Sequence, residues 1–330
     1  MKKQIMILFL CVLFLFTMIG CAKSESVNEK IADEMESSVE PTEENSESES
    51  ESEMATEEIK VLLSENTIQR GATVNTITYE YDERGNCIKK TDSSGSCIEY
   101  LYDENDLCIK ETNKSDWYTE TVEYEYNEDG ICVKETWYSD GQIYSCMEYD
   151  KNRNLITEIS YLGGEEYSRI VYEYDESGIC LKDTGYLEGE LYSNTNYVYD
   201  EAGNMIKTEN YYDEDSYYEI IYEYDEYGNL IMQDNRDYGL GDYYQYTYDS
   251  SGNMLSEYRG PDYYYHSYEY DTDGKLLRMF SGNSPEDVQS RREYEYDEDG
   301  DLLKENLFWY NETEASEVVV YEYTYITVIK

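Results

Sequence analysis

Polar and apolar residues alternate with a period of two through Tyr172-Glu173-Tyr174-Asp175-Glu176-Ser177-Gly178-Ile179-Cys180-Leu181-Lys182. Side chains on a strand point to opposite faces in turn, so Tyr172 and Tyr174 share one face and Glu173 takes the other. Asp175 can hydrogen-bond forward to its own backbone and start a turn, and Gly178 supplies the positive φ of a type I turn with a bulge. Cys180 and Leu181 then open an apolar return strand, and the phrase predicts a β-hairpin. It recurs ten times, with second tyrosines at Tyr81, Tyr102, Tyr126, Tyr149, Tyr174, Tyr199, Tyr224, Tyr248, Tyr270 and Tyr296. The next position is Asp in nine copies and Asn127 in one; the fourth is Gly in eight, with Asp106 and Arg153 departing. The seventh is always Ile, Val or Leu, from Ile88 to Leu303.

Between copies lies a second turn of variable content, such as SDG at Ser139–Gly141, GG at Gly163–Gly164 and LEG at Leu187–Gly189. Two turns in each repeat leave strands of roughly eight residues, which suits an antiparallel meander. Right-handed twist accumulates over about twenty strands. The expectation is an all-β fold, a meander of about ten hairpin repeats curled into a spiral or shell-like sheet. Helical periodicity is hinted at only in the N-terminal apolar run and near Glu57–Glu65. Val318–Tyr325 begins like an eleventh copy but lacks the Asp and Gly, and reads as a capping strand.

The N-terminus changes the picture. Lys2 and Lys3 precede an apolar run from Ile5 to Ile19, then Gly20 and Cys21. A basic start, a short hydrophobic stretch and a small residue before the cut read as a secretory signal over residues 1–20, not a membrane span. Met18-Ile19-Gly20-Cys21 resembles the lipobox of bacterial lipoproteins, which implies diacylglycerol on Cys21 and cleavage before it. An ordinary signal with a coincidental cysteine is the alternative. Residues 21–60 are Glu- and Ser-rich, and Ala22–Lys60 holds 14 acids and 3 lysines. Such a stretch has little to bury and reads as an extended, disordered tether, or less simply as an acidic tail for a basic partner. Residues 61–330 form the repeat domain.

That domain carries 61 acids against 20 basic residues. The balance argues against nucleic acid and anionic membrane as partners, because no basic patch can neutralise phosphates. It leaves divalent cations, basic proteins and neutral polymers. The 42 tyrosines supply apolar area that the sparse aliphatics do not. Cys87, Cys108, Cys132 and Cys180 occupy a repeat position that elsewhere holds Leu or Met, so the thiol stands for a small hydrophobe. Equivalent positions two strands apart are ~9.5 Å from each other, beyond the ~7 Å reach of a disulfide. Pairing of Cys97 or Cys146 stays open. Unpaired thiols in a secreted protein point to reducing surroundings.

The phrases YVYDEAGNMIK (197–207), YEYDEYGNLIM (222–232) and YTYDSSGNMLS (246–256) resemble the YD repeats of the Rhs family, over residues 75–325. The resemblance implies an all-β shell of spiralling hairpins, as in bacterial surface proteins, toxin cocoons and adhesion molecules, some with proposed carbohydrate binding. This chain is short for a full cocoon and shows no toxin domain, which favours a stand-alone surface module.

Candidate chemistry is sparse. His266 has no evident nucleophile partner, and no P-loop or dinucleotide fingerprint precedes a helix. Paired carboxylates are too common here to mark a hydrolase. The turns at Asp271-Thr272-Asp273-Gly274 and Asp297-Glu298-Asp299-Gly300 offer a calcium site at Asp271, Asp273, Asp297 and Asp299, or are plain turns without the remaining ligands. The aromatic hairpin ends are the better ligand candidates: Trp117, Tyr118, Trp137, Tyr138, Tyr161, Tyr167, Tyr186, Tyr192, Tyr211, Tyr217, Tyr243 and Tyr263. Aromatic faces beside carboxylates suit neutral sugars; the alternative is cross-strand packing. The expectation is a non-catalytic protein without cofactor, lipid-anchored on the outer face of a bacterial membrane. It would bind a glycan or cell-wall polymer, or else serve protein–protein adhesion; a cation-dependent hydrolase is the remaining alternative.

Overall fold

The computed structural model describes residues 56–212, 216–235, 243–260, 264–310 and 312–329. The chain divides into two units, Met1–Ser52 and Glu53–Lys330, and every described residue belongs to the second. Its strands follow one another without a described helix. They begin with β1 (Thr56–Gln69), β2 (Ala72–Tyr81), β3 (Cys87–Asp92), β4 (Cys97–Tyr102), β5 (Cys108–Lys114), β6 (Thr119–Tyr126) and β7 (Cys132–Ser139). Next come β8 (Gln142–Tyr149), β9 (Leu155–Leu162), β10 (Glu165–Tyr174), β11 (Cys180–Leu187), β12 (Glu190–Tyr199), β13 (Met205–Tyr211) and β14 (Tyr217–Tyr224). The last are β15 (Leu230–Asp234), β16 (Tyr243–Tyr248), β17 (Met254–Gly260), β18 (Tyr264–Tyr270), β19 (Leu276–Ser284), β20 (Asp287–Tyr296), β21 (Leu302–Trp309) and β22 (Glu317–Ile329).

All ten YD turns are built alike. In the central copy the Asp175 carboxylate accepts the N–H groups of Ser177 (2.8 Å) and Ile179 (2.9 Å), while Asp175 N–H donates to the Ile179 carbonyl at 2.9 Å. Gly178 sits at φ +87°, and the departures Asp106 and Arg153 adopt +61° and +69°, so the turn imposes its geometry on whichever residue stands there. Each turn is followed by a bulge, as where Tyr174 opposes Cys180 but Glu173 opposes Lys182. The second turns are tighter: Asp140–Gly141, Gly163–Gly164 and Glu188–Gly189 each place two positive-φ residues in succession, the signature of a type I′ hairpin.

Each strand pairs antiparallel with its neighbours in sequence, as the meander requires. The ring then closes. β1 pairs with β22 over thirteen register positions, from Thr56 against Ile329 to Gln69 against Glu317. The sheet is a closed 22-stranded barrel, which corrects the expected spiral or shell-like sheet. The reason lies in two segments. Glu57–Glu65, where helix was hinted at, lies wholly within β1 and supplies a long first edge. Val318–Tyr325 lies in β22 and is bonded on both sides, to β21 and β1, so it joins two edges where a cap would have covered one. Closure removes both free edges of the sheet.

Directly opposed residues share a face, which lets both faces be followed round the ring. One face carries the tyrosines of each repeat together with Glu111, Glu135, Glu158 and Asp183. Burial raises the pKa of all four carboxyls. The other face carries part-exposed ion pairs such as Lys110–Glu123, Arg278–Glu269 and Lys304–Glu295. The tyrosine face is the enclosed, inward one.

The tyrosine hydroxyls tie one repeat to the next. In seven repeats the second tyrosine donates to the main-chain carbonyl at the bulge of the preceding repeat, as in Tyr102 to Cys87 (2.9 Å), Tyr174 to Leu155 (2.7 Å), Tyr199 to Cys180 (2.8 Å) and Tyr296 to Leu276 (2.9 Å), whereas Tyr149 donates to the Glu135 carboxylate at 3.1 Å. The bulge interrupts the ladder, and the phenol reaches the carbonyl there. Tyr323 makes the same bond to Leu302, which carries the device into the closing strand.

Candidate ligand-binding groove

The outward face bears an open groove of about 560 Å³ running across β4 to β9. Tyr138 and Tyr161 form its aromatic walls, and Ile143 and Cys146 contribute to its apolar floor. Register explains the convergence: Thr136 on β7 opposes Cys146 on β8, which opposes Ile159 on β9, so alternate residues of three strands meet on one face. Lys110 and Glu123 pair at 2.9 Å, and Lys134 and Glu125 approach to 3.8 Å, in adjacent rows of the same face. Burial raises the Tyr138 hydroxyl pKa, with the Glu123 carboxylate adding to it, and burial likewise raises Tyr161. Both phenols stay neutral and can donate. Burial also raises the Cys146 thiol, which is 2% exposed, so it serves as a hydrophobe. Ring faces, neutral hydroxyls and ion pairs around an apolar floor can stack on a sugar ring and hydrogen-bond its hydroxyls.

The other aromatic candidates do not join this groove. Trp117 is 90% exposed on the β5–β6 turn, with Tyr118 beside it less so. Trp137 faces inward and meets Tyr144 edge-on at 6.4 Å. Tyr186 and Tyr167 are half-buried. Tyr192 lies on the rim against Tyr212 (5.8 Å), which stacks on Tyr218 (5.9 Å). Tyr211 and Tyr217 oppose each other directly, rings 4.9 Å apart, and Tyr243 packs on Tyr258 at 6.0 Å. Tyr263 and Cys21 lie outside the described residues. A constant separation of six across the second turn does not mean a shared face. The β11–β12 hairpin carries a bulge between Gly185 and Tyr186, whereas β13–β14 has none. Sequence reasoning missed Lys110, Lys134, Glu123 and Glu125; only the register shows that these charges share a face with an aromatic pair.

The candidate cation ligands split. Asp271 accepts the N–H groups of Asp273 and Lys275, both at 2.9 Å, as the turn aspartate of its repeat. Asp297, Asp299 and Asp301 gather their carboxylates within 4.8 Å. A lysine ammonium lies among them: Lys60 Nζ is 2.6 Å from Asp297, 3.3 Å from Asp299 and 2.7 Å from Asp301. Among the described residues, Cys87, Cys97, Cys108, Cys132, Cys146 and Cys180 form no disulfide. The four at the repeat position point toward the carbonyl two residues on, as Cys108 does to Lys110 at 3.6 Å. His266 sits between Tyr264 (4.2 Å) and Tyr268 (6.3 Å), its pKa lowered by burial and by Arg292.

No family model matches the chain, and no curated protein matches it. Among solved structures, a TcdB2-TccC3 complex with Cdc42 aligns over 77% of this chain and 15% of its own, at 13% identity and a TM-score of 0.40. A TcdB2-TccC3 structure without its hypervariable C-terminal region aligns over 73% and 15%, at 13% identity and 0.41. A porin-like protein from Bacteroides uniformis aligns over 80% and 97%, at 10% identity and 0.28. The chain spans about 15% of the length of the first two.

Proposed function

We propose that this protein is a non-catalytic binding protein of the bacterial surface, held to the membrane by lipid on Cys21, whose barrel presents the β4–β9 groove to a neutral glycan or cell-wall polymer. The observation that carries the reading is the pairing of Tyr138 and Tyr161 on the outward face over an apolar floor, with Lys110–Glu123 and Lys134–Glu125 on the same face. Charged pairs elsewhere on the outward face, such as Lys304–Glu295, favour a barrel standing in water, because a lipid-facing band has to be apolar. Membrane contact is then left to the lipid. The test is a glycan array with the wild type and a Tyr138→Ala/Tyr161→Ala double variant. The reading expects signal on neutral polysaccharides that the double variant loses at least about tenfold; silence on every sugar, or equal binding by both proteins, would overturn it. Mass spectrometry of the mature N-terminus tests the anchor, and an unmodified Cys21 would remove it.

A protein–protein adhesion role is favoured by a different feature: Trp117 at 90% exposure and Leu162 at 69% project from second turns. A captured surface protein released by Trp117→Ala, with no sugar bound, would establish that role instead.

A further inference from the structure

In five repeats the residue after the turn glycine is Asn, or stands where that residue would, and its amide donates to the second carboxylate oxygen of the turn aspartate. The bonds are Asn86 to Asp82 (3.1 Å), Asn154 to Asp150 (3.0 Å), Asn204 to Asp200 (3.0 Å), Asn229 to Asp225 (2.9 Å) and Asn253 to Asp249 (2.9 Å). The last repeat has Asp301 at this position. An ionised carboxylate there donates nothing and repels Asp297. Elsewhere the Asn is replaced by Leu107, Ile131, Ile179 or Lys275, none of which adds negative charge.

The missing donor arrives from the other end of the chain. Lys60 belongs to β1, yet its ammonium reaches the β20–β21 turn, crossing β22 over the Tyr323 ring at 5.1 Å. It contacts Asp297 at 2.6 Å, where five other repeats place the Asn amide, and Asp301 at 2.7 Å. First and last hairpins are thereby joined through side chains on top of the β1–β22 ladder.

We propose that Lys60 is a built-in counterion that latches the barrel seam, and that Asp301 replaces the repeat asparagine so that the final turn stays unsatisfied until β1 docks. Closure would then be coupled to a charge contact that an eleventh ordinary repeat could not make, which selects β1 over another strand edge. The latch acts on the β1–β22 seam and does not depend on the groove reading.

Thermal melts of the full-length protein test it. Lys60→Met should lower the Tm by at least about 3 °C. Adding Asp301→Asn to that variant should restore most of the loss, because the introduced amide can donate to Asp297 as in the five ordinary repeats. Asp301→Asn alone covers the case in which Lys60→Met does not fold, and it should melt within about 2 °C of the wild type. Lys60→Met melting like the wild type, or a double variant no better than Lys60→Met, would overturn the latch. So would strong destabilisation by Asp301→Asn alone.

Discussion

The two rims of the barrel follow opposite rules. At the YD-turn rim, ten turns repeat one hydrogen-bonding scheme and one bulge, and eight of the ten second tyrosines donate to a main-chain carbonyl, with little latitude in residue type. At the second-turn rim the turns vary in length and content, and aromatic residues stand exposed or stack on one another. The first rim holds the ring together. The second, with the strands that run up to it on β5 to β10, is free to differ from hairpin to hairpin, and it contains Tyr138, Tyr161 and Trp117. In a repeat protein, uniform positions serve stacking and the departures are where recognition or regulation can sit.

This contrast can be broken by mutation. The largest effect is expected at the uniform rim: Gly228→Ala forces a β-carbon onto a residue at φ +86° and should cost ~1–2 kcal/mol of stability in denaturant titration. Tyr199→Phe, which removes the hydroxyl bonded to the Cys180 carbonyl, should cost about 1 kcal/mol by the same measurement. At the variable rim Trp117→Ala should stay within ~0.5 kcal/mol of the wild type. A larger loss there than at Gly228 would reverse the assignment of the two rims.

Acidity probes the enclosed face against the turns. The pKa values of Glu111, Glu135, Glu158, Asp183 and Glu257 are raised by burial, so their contribution is fully present below the unfolded carboxyl pKa and fades as pH rises through the folded values. The turn carboxylates of Asp175, Asp200 and Asp225 are lowered by side-chain hydrogen bonds from Ser177, Asn204 and Asn229 and by backbone N–H groups, so their contribution is present above the unfolded pKa and lost as pH falls through the folded values. The Tm should pass through a maximum near about pH 5, and Glu158→Gln should flatten its alkaline side. A Tm that rises steadily from about pH 5 to 8 would contradict this. The smallest expected effect is that of calcium, which should leave the wild-type Tm unchanged because the Lys60 ammonium already occupies the place between Asp297 and Asp301; a clear rise would show that the ion displaces the ammonium.

Much of the fold was legible in the sequence because alternation and turn chemistry are local. Tyr172, Tyr174, Asp175 and Gly178 announce their roles within a single short phrase. The closed ring was not legible, since it depends on Glu57–Lys60 extending β1 until it meets β22, a pairing across the whole chain. The site was legible only in part. Tyr138 and Tyr161 stand out as aromatics, but a bulge changes which face a residue six positions later occupies, and bulges follow register more than residue type. Lys60 carried no local signal at all; Asp301 did, as the place where the repeat asparagine turns acidic.

Closure of the ring is the claim on which the rest depends, and amide hydrogen exchange tests it most directly. The account predicts that the backbone N–H groups of β1 (Thr56–Gln69) and β22 (Glu317–Ile329) exchange as slowly as those of the interior strands β10 and β11. Rapid exchange along the facing edges of β1 and β22, with the interior strands still protected, would show an open sheet and contradict it.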